Sequence, residues 1–213
     1  MKLGLGNAIN AFRSAWPDAE LALHDLPGTD QLERLHRGEL DLAVCTQLFP
    51  DSPFFFGLDT VTLGTEKLIG IIPPAGASEL PVPKRLQDYA DLPFIGLDKN
   101  TFSEYWRFLD RICEAHHLRL RLTLQVKEKH SLLMLVAGGM GVSIVPRHIA
   151  ETVQDTLRIV PIRDLAEELS IVAAFQPHSQ SSMLPAFLEV LKHCLELRAA
   201  NPGPQKLTAG SIR

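Results

Sequence analysis

Two short polar stretches of this sequence have the residue types and the placement to hold an anion. KNTFS, residues 99–103, carries Asn100, Thr101, Phe102 and Ser103 between a strand-like run at 94–97 and a helix-like run at 103–117. Hydroxyls at such a junction can cap the helix or donate to a ligand oxygen. The unfilled N–H groups of the first turn and the helix dipole favour a carboxylate there, by about 0.3–1 kcal/mol per exposed interaction. The same residues also read as a plain helix cap beside a core phenylalanine. KEKHS, residues 127–131, stands between a strand-like run at 120–126 and a helix at 129–138. Lys129 or His130 could meet an anion there, or the stretch is a solvated charged turn. Two further strand ends add Thr46 and Gln47, closing a run at 40–46, and Thr29, just beyond a run at 19–26. Open α/β sheets bind ligands at strand carboxyl ends, which is why these positions are candidates.

Covalent, phosphate and metal chemistry find less support. Three glycines crowd into G-G-M-G at 138–141, but they follow a helix and precede a strand. Phosphate-cradling loops have the opposite order, strand first, so that helix N–H groups face the anion. The motif reads instead as a helix C-terminus, one glycine supplying a positive φ and the others allowing close packing. No G-x-S-x-G, H-E-x-x-H or P-loop motif occurs. His116 and His117 are adjacent, so on a helix they diverge by about 100° and chelate poorly. Glu167 and Glu168 mark a solvated strand entry, and no carboxylate pair has a spacing that argues for glycosidase work. The expectation is no catalytic residue, no metal and no cofactor.

The elements that must position these residues alternate. Residues 7–16 carry Ile9, Phe12 and Trp16 near helical spacing, and Pro17 stops them. AELALHDL at 19–26 alternates like a strand. A helix is expected at 30–37, with Asp30 and Glu33 at capping-box spacing and Gly38 at its end. A strand at 40–46 completes a strand–helix–strand unit, which predicts a parallel sheet. Strand-like runs at 54–63 and 67–72 precede the Pro-rich PPAGASELPVP, a candidate lobe boundary. Beyond it are expected a helix at 84–89, strands at 142–145, 157–162 and 169–175, and a helix at 183–198. In the last, Leu184, Phe187, Leu188, Leu191 and Leu195 form an apolar stripe, with Pro185 near the start. Residues 199–213 are expected to be disordered.

The bulk numbers bound the partners. At 213 residues the chain can bury a core as one domain or two small lobes. A net charge of −4 argues against nucleic-acid binding by this chain alone, because phosphate contacts need clustered Lys and Arg. No segment offers the roughly 20 apolar residues of a membrane helix, and the opening residues do not form a signal peptide. Three separated cysteines in apolar contexts make no disulfide framework and suit a reducing cytoplasm.

Several of these segments, in this order, resemble the effector-binding domain of LysR-type transcriptional regulators. They are WPDAELAL, QLERLHRGELDLAV, LQDYADLPFIGL and AGGMGVSIVP, within residues 7–198. The resemblance implies an α/β, two-lobed type 2 periplasmic-binding-protein-like fold with two crossing strands, near 65–69 and 167–170. Lobe I would comprise 1–66 and 169–198, and lobe II 67–168. It implies a small-molecule effector, an organic acid as the leading class, held between the lobes. It also implies a homodimer or higher homo-oligomer, formed through sheet edges and helix faces of lobe I. DNA would be met only through a helix-turn-helix domain that this chain lacks. Phe102 matches a cleft-lining phenylalanine of aromatic-responsive members. Where such members carry a ligand-binding threonine, this sequence has Pro27, with Thr29 two residues on. The family's first strand has no counterpart before Pro17, and MKLGLG is expected to be helical, as in a truncated regulator. A stand-alone solute-binding protein, or an enzyme on a related two-lobed fold, are the alternatives.

Overall fold

In the computed structural model, the backbone is described for residues 2–150, 153 and 156–200, and the side chains for 4–150, 153 and 156–195. In chain order the first elements are α1 (Lys2–Ala15), α2 (Gly28–His36), β1 (Ala43–Gln47), β2 (Asp59–Ile72), β3 (Phe94–Leu97) and α3 (Ser103–Ala115). There follow β4 (Leu122–Val126), α4 (Lys129–Ala137), β5 (Ser143–Pro146), α5 (Arg147–Ala150), β6 (Arg158–Pro161), β7 (Glu168–Phe175) and α6 (Leu184–Ala200). By contact these fall into two compact units, one made from Met1–His24 with Ser179–Arg213 and the other from Asp25–His178.

The first unit is a helix pair. Phe12 of α1 is buried and stacks edge-on against Phe187 of α6, with ring centroids 5.1 Å apart. Leu184, Leu188 and Leu191 are buried too, as the apolar stripe predicts. Each such burial is worth about 1.5–3 kcal/mol. The helix begins at Lys2, five residues before the periodic run read at 7–16, so residues 2–6 are helical as expected for MKLGLG. Gly4 and Gly6 disfavour helix by propensity, about 1 kcal/mol each. Packing overrides this at Gly4, where a Cβ would meet Leu195 at 2.5 Å.

The second unit is built on one long strand. β2 pairs antiparallel with β7 through Asp59–Lys67 and then with β5 and β6 through Leu68–Ile72. It merges the two runs expected at 54–63 and 67–72. Its first part was misjudged, because Pro53–Phe55 is a 3-10 turn. The strand order is β1-β7-β2-β5, with β6 also on β2, while β3 and β4 pair in parallel. Phe94 adds a single parallel bridge to Val142, just before β5. All four residues of β3 and of β5 are buried, which explains their unbroken apolar runs. Tyr105, Phe108, Leu109 and Ile112 of α3 pack on this layer with Leu86, Tyr89 and Val142.

Two expectations are corrected. Residues 19–27 form no strand. β1 pairs only with β7, and antiparallel, so the parallel unit expected over 19–46 does not form, whereas β3–α3–β4 is a parallel strand–helix–strand unit. A strand exists by pairing, and alternation in AELALHDL is not sufficient; Leu23 is 68% exposed. In its place the Gln31 amide reaches both sides, donating to the Leu26 carbonyl at 2.9 Å and accepting the Val44 N–H at 3.2 Å. The second correction is the capping box. α2 starts at Gly28 with Pro27 as its N-cap, so Asp30 lies inside the first turn and caps nothing.

G-G-M-G is a helix end. The N–H groups of Gly138, Gly139 and Met140 return to the carbonyls of Met134, Val136 and Leu135. Gly139 has φ +82°, and a Cβ on Gly141 would sit 2.3 Å from the Pro93 carbonyl. The helix expected at 84–89 is a short 3-10 turn, Leu86–Tyr89. Of the tail expected to be disordered, 199–200 belong to α6, and the rest lies outside the described residues.

Candidate functional site

Within the Asp25–His178 unit, α2 and α3 both begin on one cleft. Its walls include Pro27, Gly28 and Thr29 from the start of α2, and Thr101, Phe102, Glu104 and Tyr105 from the start of α3. The cleft itself amounts to about 80 Å³, within about 470 Å³ of atom-free space that includes open solvent. Leu32, Leu48, Phe54 and Phe55 make the remaining walls mostly apolar, with Cys45, Thr46 and Ser52 beside them.

Neither helix has a side-chain cap. The first intrahelical bonds are Gln31 N–H to the Pro27 carbonyl and Trp106 N–H to the Phe102 carbonyl. The N–H groups of the residues between, Gly28 to Asp30 and Ser103 to Tyr105, receive no acceptor from their own helix. Both helix dipoles therefore present their positive ends to the cleft lining.

The hydroxyls are committed elsewhere. Thr101 Oγ1 donates to Asp98 Oδ1 at 2.7 Å, and the Thr101 N–H donates to the same oxygen at 3.0 Å. Those bonds hold the Asp98 carboxyl below its ordinary pKa. Thr46 Oγ1 donates to Glu66 Oε1 at 3.1 Å. Glu66 is buried at the partner-changing part of β2 and also accepts from His148, at 2.8 Å from Nδ1 and 3.0 Å from the backbone N–H. Burial pushes the Glu66 carboxyl up, but the bonds and charge of His148, with the Thr46 bond, outweigh it and hold the pKa below the usual value. An ionised carboxylate only accepts, so Nδ1 carries the proton that His148 gives it. Ser52, 5% exposed, has an Oγ with no hydrogen-bond partner. Glu104 is paired with Arg107 at 3.2 Å, and the Tyr105 hydroxyl donates to the Ile144 carbonyl.

Of the nine residues expected from sequence, Thr29, Thr46, Thr101 and Phe102 meet on this cleft. Asn100, Ser103 and His130 are exposed and outside its lining, and the half-buried Gln47 and Lys129 also lie outside it. Ser103 is the first residue of α3 and does not cap it. Phe102 combines both expected roles, lining the cleft while packing against the core. The Lys129 ammonium lies 6.0 Å from its ring centroid. Lys99 turns to the Trp106 ring, 4.4 Å away. The sequence reading missed the Glu66–His148 pair, whose members are 82 positions apart. It also missed Ser52, for which no local signal exists.

The LysR substrate binding domain family matches residues 4–195. The chain belongs to this family. A relative, the HTH-type transcriptional regulator TdfR of Cupriavidus pinatubonensis, is 27% identical over 187 residues, 86% of this chain and 61% of TdfR. The chain spans 56–61% of the length of the curated relatives it matches. Among solved structures, the regulatory domain of Synechocystis CcmR in complex with 2-PG superposes with TM-score 0.77 at 18% identity, covering 92% of each chain. The BenM effector-binding domain with benzoate gives TM-score 0.71 at 22% identity, over 98% of this chain and 92% of that one. The fold of this LysR-type effector-binding domain is thus the expected periplasmic-binding-protein-like one. Among the described residues no helix is long and apolar enough to cross a membrane.

Proposed function

We propose that this LysR-type effector-binding domain senses a small organic acid in the cleft at the starts of α2 and α3. One observation carries the reading: two uncapped helix N-termini open on a single, mostly apolar cleft. The acid's carboxylate would take the free N–H groups and its body the walls around Phe54 and Phe102. The binding of benzoate and 2-PG by structural neighbours agrees with this class. Lobes divided at 66/67 and 168/169 put the partner change of β2 at the hinge. A bound acid then favours one lobe arrangement by its differential affinity. In a complete cytoplasmic regulator, itself a homo-oligomer, that shift would be read by paired helix-turn-helix domains on DNA. The chain performs no chemistry on its ligand and uses no cofactor or metal.

The test is a thermal-shift and calorimetric screen of the purified chain with benzoate and other small carboxylates. Mass spectrometry of the recovered acid accompanies it. Saturable stabilisation with the acid returned unchanged is expected. Stabilisation by none of them would remove the sensor reading, and conversion to product would replace it with an enzyme.

A further inference from the structure

The donors and acceptors around the cleft restrict what an acid must carry besides its carboxylate. A threonine hydroxyl has one proton and two lone pairs. Three threonine hydroxyls line the cleft: Thr46 gives its proton to Glu66, Thr101 to Asp98 and, at 3.5 Å, Thr29 to Asp30. All three are left as acceptors, and the Tyr105 hydroxyl gives its proton to the Ile144 carbonyl. Glu104 is an acceptor by its charge. The strong donors on the described lining are the backbone N–H groups at the two helix starts and Ser52, whose buried Oγ has no partner. A bare carboxylic acid would use the donors and leave the acceptors facing apolar surface, which costs free energy. The three carboxylates already have partners: Glu66 accepts from His148 and Thr46, Glu104 pairs with Arg107, and Asp98 accepts from Thr101. No unpartnered carboxylate among them therefore calls for an ammonium.

We propose that the cleft selects organic acids that bear a hydroxyl group, which donates to the oxygens of Thr46 or Thr101 while the carboxylate takes the helix N–H groups. Glu66 and Asp98 are then positioning residues: they hold the threonine protons away from the ligand. The proposal rests on the cleft reading above and adds the ligand's second functional group.

The test is titration calorimetry of the whole chain with benzoate and with 2-, 3- and 4-hydroxybenzoate. At least one hydroxylated isomer should bind tenfold or more tightly than benzoate. In T46V or T101V that ratio should fall towards one. In T46S or T101S, which keep the hydroxyl, it should persist. Melting curves of all four variants verify folding. Binding of benzoate with no preference for any hydroxylated isomer would overturn the inference and leave the cleft reading standing. A preference untouched by both valine variants would overturn it too. Binding of none of the four acids would overturn the inference, and the wider carboxylate screen then decides the cleft reading.

Discussion

Glu66 is the residue on which most depends. Its carboxylate joins Thr46 of β1 to His148 of α5, through three hydrogen-bonded contacts below 3.2 Å. Hydrogen bonds to charged groups contribute about 1.5–3 kcal/mol, and buried ones are costly to break. Glu66→Gln should therefore lower stability by on the order of 1–3 kcal/mol, read from urea midpoints. The pH dependence follows from the depressed pKa. The folded pKa lies below the ordinary 4.5, so the stabilisation is complete above that value and is lost as pH falls through the folded pKa. The gap between wild type and variant should close in acid. A gap that stays constant down to the acid transition would show that the charge contributes nothing. Neither partner was visible in sequence, because a glutamate within a strand-like run looks like any solvated strand residue until topology brings a histidine to it.

At the scale of elements, the open side of β1 is served by a side chain. Gln31 accepts the Val44 N–H and donates to the Leu26 carbonyl. Gln31→Ala should cost about 1–2 kcal/mol and speed hydrogen exchange at the Val44 amide. Unchanged exchange at Val44 would mean that the bond does not protect it. The α4 terminus gives a second case. Gly139→Ala forces a Cβ into a left-handed backbone and within 2.4 Å of the Ala77 carbonyl, so destabilisation by more than about 1 kcal/mol is expected in thermal melts. A neutral substitution would refute that tight turn. Element types were largely readable because period and punctuation are local. The failure at 19–27 came from a property that is not local, the presence of a pairing partner. β2 was read as two strands because Gly64, where the register to β7 shifts, interrupts its apolar pattern without ending it.

For the whole molecule, thiol reactivity reports on packing. Burial pushes the Cys45 thiol up to about 12, and burial with the Asp110 and Glu114 charges pushes Cys113 up to about 11. Cys194 is only half-buried. An aromatic disulfide reagent should modify Cys194 first in the native chain, and Cys45 and Cys113 only as fast as the structure opens. Equal rates at Cys45 and Cys194 would mean a cleft far more open than the one described. The sequence by itself determined the family, the α/β class, most elements and the fact that Thr29, Thr46, Thr101 and Phe102 sit where strands end and helices begin. The elements follow from periodicity and turn chemistry within a dozen residues, and the family from the resemblance of four segments in their order. Only the tertiary structure decided that these four share one cleft and that Asn100, Ser103, Gln47, Lys129 and His130 lie outside its lining. It alone committed the threonine protons to Glu66 and Asp98. A hydroxyl's role as donor or acceptor is set by the nearest carboxylate in space, and for Thr46 that carboxylate is 20 residues away along the chain.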